Sequence, residues 1–339
     1  MNDIYVVGGH VRQNVFRKLN EWQSCDKGFI IQLNPKQEKS KVCVEYVSPQ
    51  AVCADDTPAI LFKSAYLEND TLYACTSTEV MIYKLPDFRC ITHLSLPCFN
   101  DLHHVCPTGR GTLAIAVTGL DMVVEITMDG QVVREWSVLG EDIWSRFSRD
   151  IDYRKVPTTK PHQSHPNHVF QLGGELWVTR CFQKDAICLT KPGERIDVAV
   201  ERPHDGYLFA DSVYFTTVNG HIVVVDQKTL KTRQVYNLNE MHPGPSQVLG
   251  WCRGLLPIDE RFIWVGFTRV RPTLFKENLA WIRKSVARHK ASHIALYDLE
   301  TRKCVQEIAL EPHGIGVVFS LFPVDPKFDF KEKQTKRRR

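Results

Sequence analysis

The sequence predicts an all-β chain closed into a six-bladed β-propeller, with ring closure by N- and C-terminal strands and one short helical insertion. Three observations lead there. Short runs rich in β-branched and aromatic residues, bounded by turn residues, fill most of the 339 residues. A polar residue, then a small residue or His, then an apolar pair recurs six times. The last recurrence lies near the C-terminus without partners of its own, while three strand-like runs at the N-terminus lack such an opening.

In chain order, "IYVVGG", "GFIIQL" and "VCVEYV" come first. "TLYACTS", "VMIYKL", "TLAIAVTG", "MVVEITMDG", "VVREWSV", "ELWVTRCF", "SVYFTTVNG", "HIVVVD", "FIWVGFT" and "HIALYDL" follow. Their Val, Ile, Thr and aromatic content suits a pleated, half-buried surface. "MDGQ" and "VNGH" supply hairpin turns. Only "KENLAWIRKSVARHK" (276–290) reads as helical. The six openings begin at Ser64, His103, Asn167, Asp205, Arg253 and His313, with separations of 39, 64, 38, 48 and 60 residues. The short separations match the ~40–45 residues of a four-stranded blade. The long ones carry insertions. The opening at His313 takes the three N-terminal runs as its partners, and the mixed blade removes free sheet edges. An open β array or two sandwiches would leave those edges bare. Residues 1–325 then form one propeller. Insertions at 137–166, between blades three and four, and at 272–290, inside blade six, rise over the channel mouth. Residues 326–339 read as a disordered basic tail.

Charge and cysteine usage narrow the function. Net charge is +4, and the tail "KEKQTKRRR" supplies +5, leaving −1 for the body (+4 less +5). That balance gives no reason to expect nucleic acid. Eleven cysteines, an odd number with no CxxC, argue against a disulfide framework and a structural zinc module. They suit a reducing compartment. "MNDIYVVGGHVRQ" lacks the basic and apolar regions of a signal peptide. No apolar run reaches the ~18 residues of a membrane span. The expectation is a soluble, cytoplasmic protein. No Walker loop, GxGxxG, GxSxG or HExxH occurs, so no nucleotide cofactor is expected.

In a propeller the innermost strands begin at one channel mouth. Read as a column, Ser64, His103, Asn167, Asp205, Arg253 and His313 ring that mouth. The next column is Ala65, His104, His168, Gly206, Gly254 and Gly314. The third is an expected apolar plug of Tyr66, Val105, Val169, Tyr207, Leu255 and Ile315. A polar ring over an apolar plug is the shape of a pocket, or of a plain water-filled channel. Enclosed histidines and arginine are costly unless paired or used. His162, His165 and His168 recur every third residue, but Pro161 and Pro166 exclude a regular helix, so one metal held by all three is not expected. A site mixing blades is better: His104, His165, His168 and His313, with His103 and His204 near, can ligate Fe, Zn or Mn. Ordinary channel histidines are the alternative. Arg253, Arg269 and Arg271 point to an anionic group, or to structural pairing with nearby carboxylates. Asp121, Arg180, Asp185 and His221 sit on loops of the same face. Cys252 beside Arg253 is either packing or a weak candidate nucleophile.

Four stretches carry a resemblance. "FNDLHHVCPTGRGTLAIAVTGLDMVVE", "KPHQSHPNHVF…ELWVTRCFQKDAICLT", "RPHDGYLF…VYFTTVNGHIVVVD" and "GWCRGLLP…WVGFTRVRP" resemble a bacterial family of uncharacterised propeller-type proteins over about 95–325. At fold level the chain is also similar to strictosidine-synthase-like and lactonase-like six-bladed propellers. That likeness implies a small molecule hydrolysed, condensed or lysed, often at a central metal. A calcium site is not implied, because the column is rich in His and Arg where hard cations want oxygen ligands.

The expected function is therefore an enzyme acting on a small, anionic molecule at the channel mouth, by hydrolase, lyase or oxygenase chemistry. Asp205, His103 and His204 are the expected catalytic groups. Asn167, Arg253, Arg269, Arg271, Arg180 and Ser64 are the expected substrate contacts. The alternative is a non-catalytic propeller that binds a protein or glycan.

Overall fold

Strand alternation decides which side chains each blade turns toward its neighbour, and here both faces of most strands are apolar. The result, in a computed structural model describing residues 2–12, 22–243, 248–270 and 290–325, is six four-stranded antiparallel sheets arranged in a ring. Five blades run from inside to outside in chain order, over residues 64–94, 102–137, 166–197, 207–237 and 251–309. The first blade is mixed. Val317–Pro323 is its innermost strand, followed outward by Ile4–Val11, Cys25–Asn34 and Lys39–Tyr46. Closure thus joins the two ends of the described chain, as the orphan C-terminal opening requires.

The "VVGGHV" glycines have a packing cause. A Cβ on Gly8 would lie 1.9 Å from the Val317 carbonyl oxygen, so only glycine lets the closing strands approach. Outward, burial falls away: Ile4–Val11 is mostly buried, whereas Lys39–Tyr46 is mostly exposed.

The apolar side chains of the described residues form eight clusters, six of them one at each blade-to-blade interface, and no single central core. Val105, Ile115 and Val124 pack on Cys75 and Ile82, for example, and Leu256 and Trp264 on Val6 and Ile31. The axis is therefore left to other residues.

The insertion at 137–166 is built from two 3₁₀ turns, Ile143–Ser145 and Tyr153–Lys155, each started by an aspartate cap at Asp142 and Asp152. Asn100 holds its far side through the carbonyls of Tyr153 and Val156, both at 2.8 Å. The expected helix at 276–290, apart from Lys290, and the basic tail lie outside the described residues. Among the described residues no helix is long and apolar enough to cross a membrane.

Candidate functional site

The recurring polar–small–apolar pattern is a ring of β-bulges. In blade three Leu102 pairs with Val117 and His104 with Ala116, so His103 is extra. In blade four Asn167 and His168 face the single residue Thr179, between the pairs Pro166–Arg180 and Val169–Val178. In blade six Arg253 and Gly254 face Gly266 in the same way. In blade five His204, Asp205 and Gly206 span the two residues Phe215 and Thr216. In blade one Phe319 is the extra residue between Val318 and Ser320. Bulges re-aim side chains next to functional sites. Here they bring consecutive residues, such as His103 and His104, into the channel together.

This accounts for several departures from the expected columns. Val105, Val169 and Leu255 fall into blade interfaces, not an axial plug, because the bulge before them resets the alternation. Ile315 likewise packs between blades one and six. Only Tyr66 and Tyr207 of that column line the channel end. The innermost strand of blade two has no bulge and keeps strict register from Ser64 onward. The Ser64 hydroxyl turns back to the Ala65 carbonyl, and Lys63, one place earlier, reaches the channel. His313 does not join the ring. It ends a 3₁₀ turn at Glu311–His313, four residues before the strand, and its Nδ1 meets Ser40 Oγ at 2.9 Å on the outermost strand of blade one. Phe319 takes the sixth place.

At the lid end of the channel, ionisable groups converge. Lys63, 1% exposed, forms an ion pair with Asp101. Lys63 Nζ lies 3.3 Å from His103 Nε2, and Asp101 Oδ1 lies 3.5 Å from the same atom. The His103 ring packs edge-on against His165, centroids 4.8 Å apart, and faces His204 at 6.0 Å. His162 Nδ1 and His165 Nδ1 share a 2.8 Å hydrogen bond. The insertion delivers this pair. Buried Asp121 accepts from the backbone N–H groups of Gln163, Ser164 and His165 at 2.8–3.0 Å and from Arg146 at 3.1 Å. His165 itself takes a positive φ of 60°, which turns the chain from lid to strand. Across the channel, Asp205 accepts from the Thr216 hydroxyl and from Gly254 N–H at 2.9 Å, and faces His204 Nδ1 at 3.3 Å. The Arg253 guanidinium lies over Phe319, 4.9 Å from the ring centroid.

The electrostatics follow from burial. Burial pushes the Lys63 ammonium pKa down, and the Asp101 charge only partly offsets it. Burial raises the Asp101 carboxyl, but Lys63 and His103 together outweigh it, so its pKa ends well below the carboxylate range. Burial lowers His103 to about 3. It lowers His162, His165 and His204 as well. These imidazoles are neutral at physiological pH. Cys252 is fully buried, which raises its thiol pKa far above the usual value and leaves it as packing.

Other expected contacts are engaged elsewhere. Arg180 holds Asp185 bidentately at 2.8 and 2.6 Å and the Val138 carbonyl at 2.9 Å. Arg269 donates to Glu311 at 2.8 Å. Asn167 Nδ2 donates to the Pro203 carbonyl at 2.9 Å, tying blade four to blade five. His221 bonds Asn219, two residues away. Arg271 lies outside the described residues.

The four positions expected to ligate a metal sit in three places. His165 bonds His162 at the lid, His313 sits by Ser40, and His104 and His168 stack on each other at 3.6 Å farther down the channel. Among the described residues no three His, Cys, Asp or Glu side chains converge as a ligand set. The donor set of the described residues does not fit the central metal that the resemblance implies.

Sequence reasoning missed Lys63, Asp101 and Thr216. Lys63 in "LFKSAY" is a charge bracketed by apolar and small residues, and Asp101 stands two residues before His103. Both signals are legible in retrospect. Beside Asp101 lies a pocket of about 70 Å³ lined by Asn100, Ser77, Arg154 and Lys160 among others. At ~10–15 Å³ per water it holds about five waters, or an organic acid of a few carbons.

Fold and site together define a class: a six-bladed β-propeller with an ionisable cluster at the lid end of its channel. No family model matches the chain, and no curated protein matches it. Among solved structures it is similar to a protein of unknown function from Bacteroides caccae, at 12% identity and a TM-score of 0.56, over 95% of this chain and 99% of that one. A chain of a mitotic checkpoint complex matches at 6% identity and a TM-score of 0.48, over 90% of this chain and 80% of that one. At these identities the likeness concerns fold alone.

Proposed function

We propose that the protein is an enzyme that performs acid–base chemistry on a small anionic molecule at the lid end of the channel. One observation carries this reading: Lys63, Asp101 and His103 are in mutual contact, with Asp101 in the wall of a pocket that also carries Arg154 and Lys160. Lys160 in the pocket wall suits a carboxylate or phosphate, whereas Arg154 beside it is held by Asp152 through two contacts of 2.8 Å. Lys63 is the group suited to exchange a proton, because burial moves its pKa toward the working range. His103, at about 3, is too weak a base for that role and serves as a neutral hydrogen-bond partner. Asp101 balances the ammonium form. Asp205 and His204 support the opposite wall.

The test follows C2–C4 carboxylates and phosphate monoesters in D2O by proton NMR, with the full chain as catalyst. At least one should exchange a carbon-bound proton or turn over, and Lys63→Met should slow it at least 100-fold. Lys160→Ala should chiefly raise KM. Turnover that survives Lys63→Met, or no reaction with any member of the panel, would reject this reading.

A further inference from the structure

The other end of the channel is built differently. Past the bulges, where the inner strands end, a cavity of about 710 Å³ opens between the blades. That is the size of pockets that enclose a drug-sized molecule. Every blade contributes to its wall, from Phe322 and Tyr66 through His104, Phe170 and Tyr207 to Leu256. Most of that wall is aromatic or aliphatic. Gly206 keeps it open, since a Cβ there would lie 2.9 Å from the Phe170 ring.

Two polar groups in this wall are both unpartnered and reachable. They are the phenol hydroxyls of Tyr66 in blade two and Tyr207 in blade five, blades that stand opposite each other in a ring of six. Neither hydroxyl makes a hydrogen bond among the described residues. Both residues are only partly buried, and neither oxygen is among the buried polar atoms left without a partner. Each hydroxyl therefore keeps surface that a bound molecule can touch. The Trp264 indole N–H and His104 Nδ1, by contrast, are sealed off and play no part. Burial raises both phenol pKa values, so both hydroxyls keep their protons and can donate. In an apolar space two such donors call for an acceptor, and a carbonyl oxygen has lone pairs for both. The charge of the lining narrows the choice further. Among the described residues no Lys or Arg lines the cavity. His104 and His168 stack on each other at 3.6 Å and are neutral, both lowered by burial. Asp3 is the one acidic side chain in the lining, and it accepts from Gln32 and Asn34, each at 2.7 Å. A carboxylate ligand would lose its water here and gain no cation.

We infer that this cavity is a second binding site, for an uncharged, mainly apolar molecule that turns a carbonyl oxygen to the Tyr66 and Tyr207 hydroxyls. The aromatic walls hold its body, and the two hydroxyls set its orientation. The site shares no side chain with the Lys63 cluster and does not depend on the proposal made for it.

The probe is 7-methoxycoumarin, an uncharged fluorophore with a lactone carbonyl. Its charged counterpart, 7-methoxycoumarin-4-acetate, keeps the ring and the carbonyl and adds a carboxylate. Titration of the full chain is followed by fluorescence and calorimetry at pH 7. One equivalent of 7-methoxycoumarin should bind saturably, and the acetate about tenfold more weakly. Tyr66→Phe and Tyr207→Phe should each weaken 7-methoxycoumarin about fivefold, the worth of one hydrogen bond. Each exchange removes only an oxygen with no partner among the described residues, so the fold should be kept. Ile258→Trp, at the half-buried rim, should weaken the probe about tenfold without touching either hydroxyl. Lys63→Met should leave the affinity unchanged, which separates this site from the lid end. Absence of saturable binding to the unaltered chain at millimolar concentration overturns the inference. Binding indifferent to Ile258→Trp, or lost in Lys63→Met, overturns it by placing the probe elsewhere. Binding indifferent to both tyrosine exchanges denies the carbonyl contact, and acetate bound as tightly as its parent denies the selection against charge; either result overturns it too. If Ile258→Trp does not fold, the two tyrosine variants and the ratio of the two affinities decide.

Discussion

The two ends of the channel use the same backbone device for opposite purposes. At the lid end the bulges bring His103, His204 and Asp205 to Lys63, Asp101 and the insertion's His165, in a packed, hydrogen-bonded cluster beside a pocket of about 70 Å³. At the far end the next residues along, Ala65, His104, His168 and Gly206, line an aromatic space of about 710 Å³. Small side chains and stacked rings leave room, whereas long charged ones fill it. A bulge supplies both because it presents two consecutive residues to the axis: His103 belongs to one end and His104 to the other. The contrast teaches that charge at the lid is held by pairing and that the far end is held open by its lack of polar contacts.

The largest expected effect breaks the lid end alone. Asp101→Asn removes the counter-ion of buried Lys63 while retaining a residue that tolerates the positive φ of 52°. It should cost about 3–4 kcal/mol, read as a lower urea midpoint with unchanged slope. Adding Lys63→Met should recover most of the loss. No recovery in the double variant would mean the pair is not the cause.

A second experiment compares the ends through pH. Burial lowers His103 to about 3 and His168 to about 4, against about 6.5 in an unfolded chain. Since the folded pKa lies below the unfolded one, stability is complete above pH 6.5 and falls as pH drops from 6.5 toward 4. Each such ring should cost about 2 kcal/mol between pH 7 and 5. His168→Gln and His103→Gln should each reduce that loss by about this amount. An unchanged pH slope in both variants would show that the rings are solvated.

Asp121→Asn sharpens the role of the insertion. It weakens an acceptor shared by three backbone N–H groups and Arg146, at about 2 kcal/mol. Hydrogen exchange should rise at residues 163–165 and stay unchanged in the strands lining the far cavity. Equal loosening at both ends would deny the lid its independence. The smallest effect is at Gly206→Ala, where a methyl group meets the Phe170 ring. About 1 kcal/mol of destabilisation and a weaker coumarin complex are expected, with the Lys63 cluster unaffected.

Much of this architecture could be read from the chain. Apolar alternation in runs such as "TLAIAV" and "FIWVGF" depends on local chemistry, so strand positions and blade count were legible. So was closure, because the C-terminal opening had no partners and "IYVVGG" had no opening. The site was legible only in part. His103, Asn167, Asp205 and Arg253 were found because each sits at the start of its repeat, where the bulges occur. His313 matched the same pattern and fell outside the ring, since a 3₁₀ turn separates it from its strand. Lys63 was missed for the converse reason: the innermost strand of blade two carries no bulge, so the channel-facing place moves by one residue.

The sequence by itself determined that the chain is β, that it repeats six times and that its ends must meet, because hydrophobic period and turn residues act over a few neighbours. Tertiary structure alone decided which histidines meet. His162 and His165 go to one end of the channel and His168 to the other, although only two residues separate each from the next. A single positive-φ turn at His165 and one extra residue in the blade-four strand set that division. Such features change direction and register without any pattern in composition, so only the folded chain reveals them.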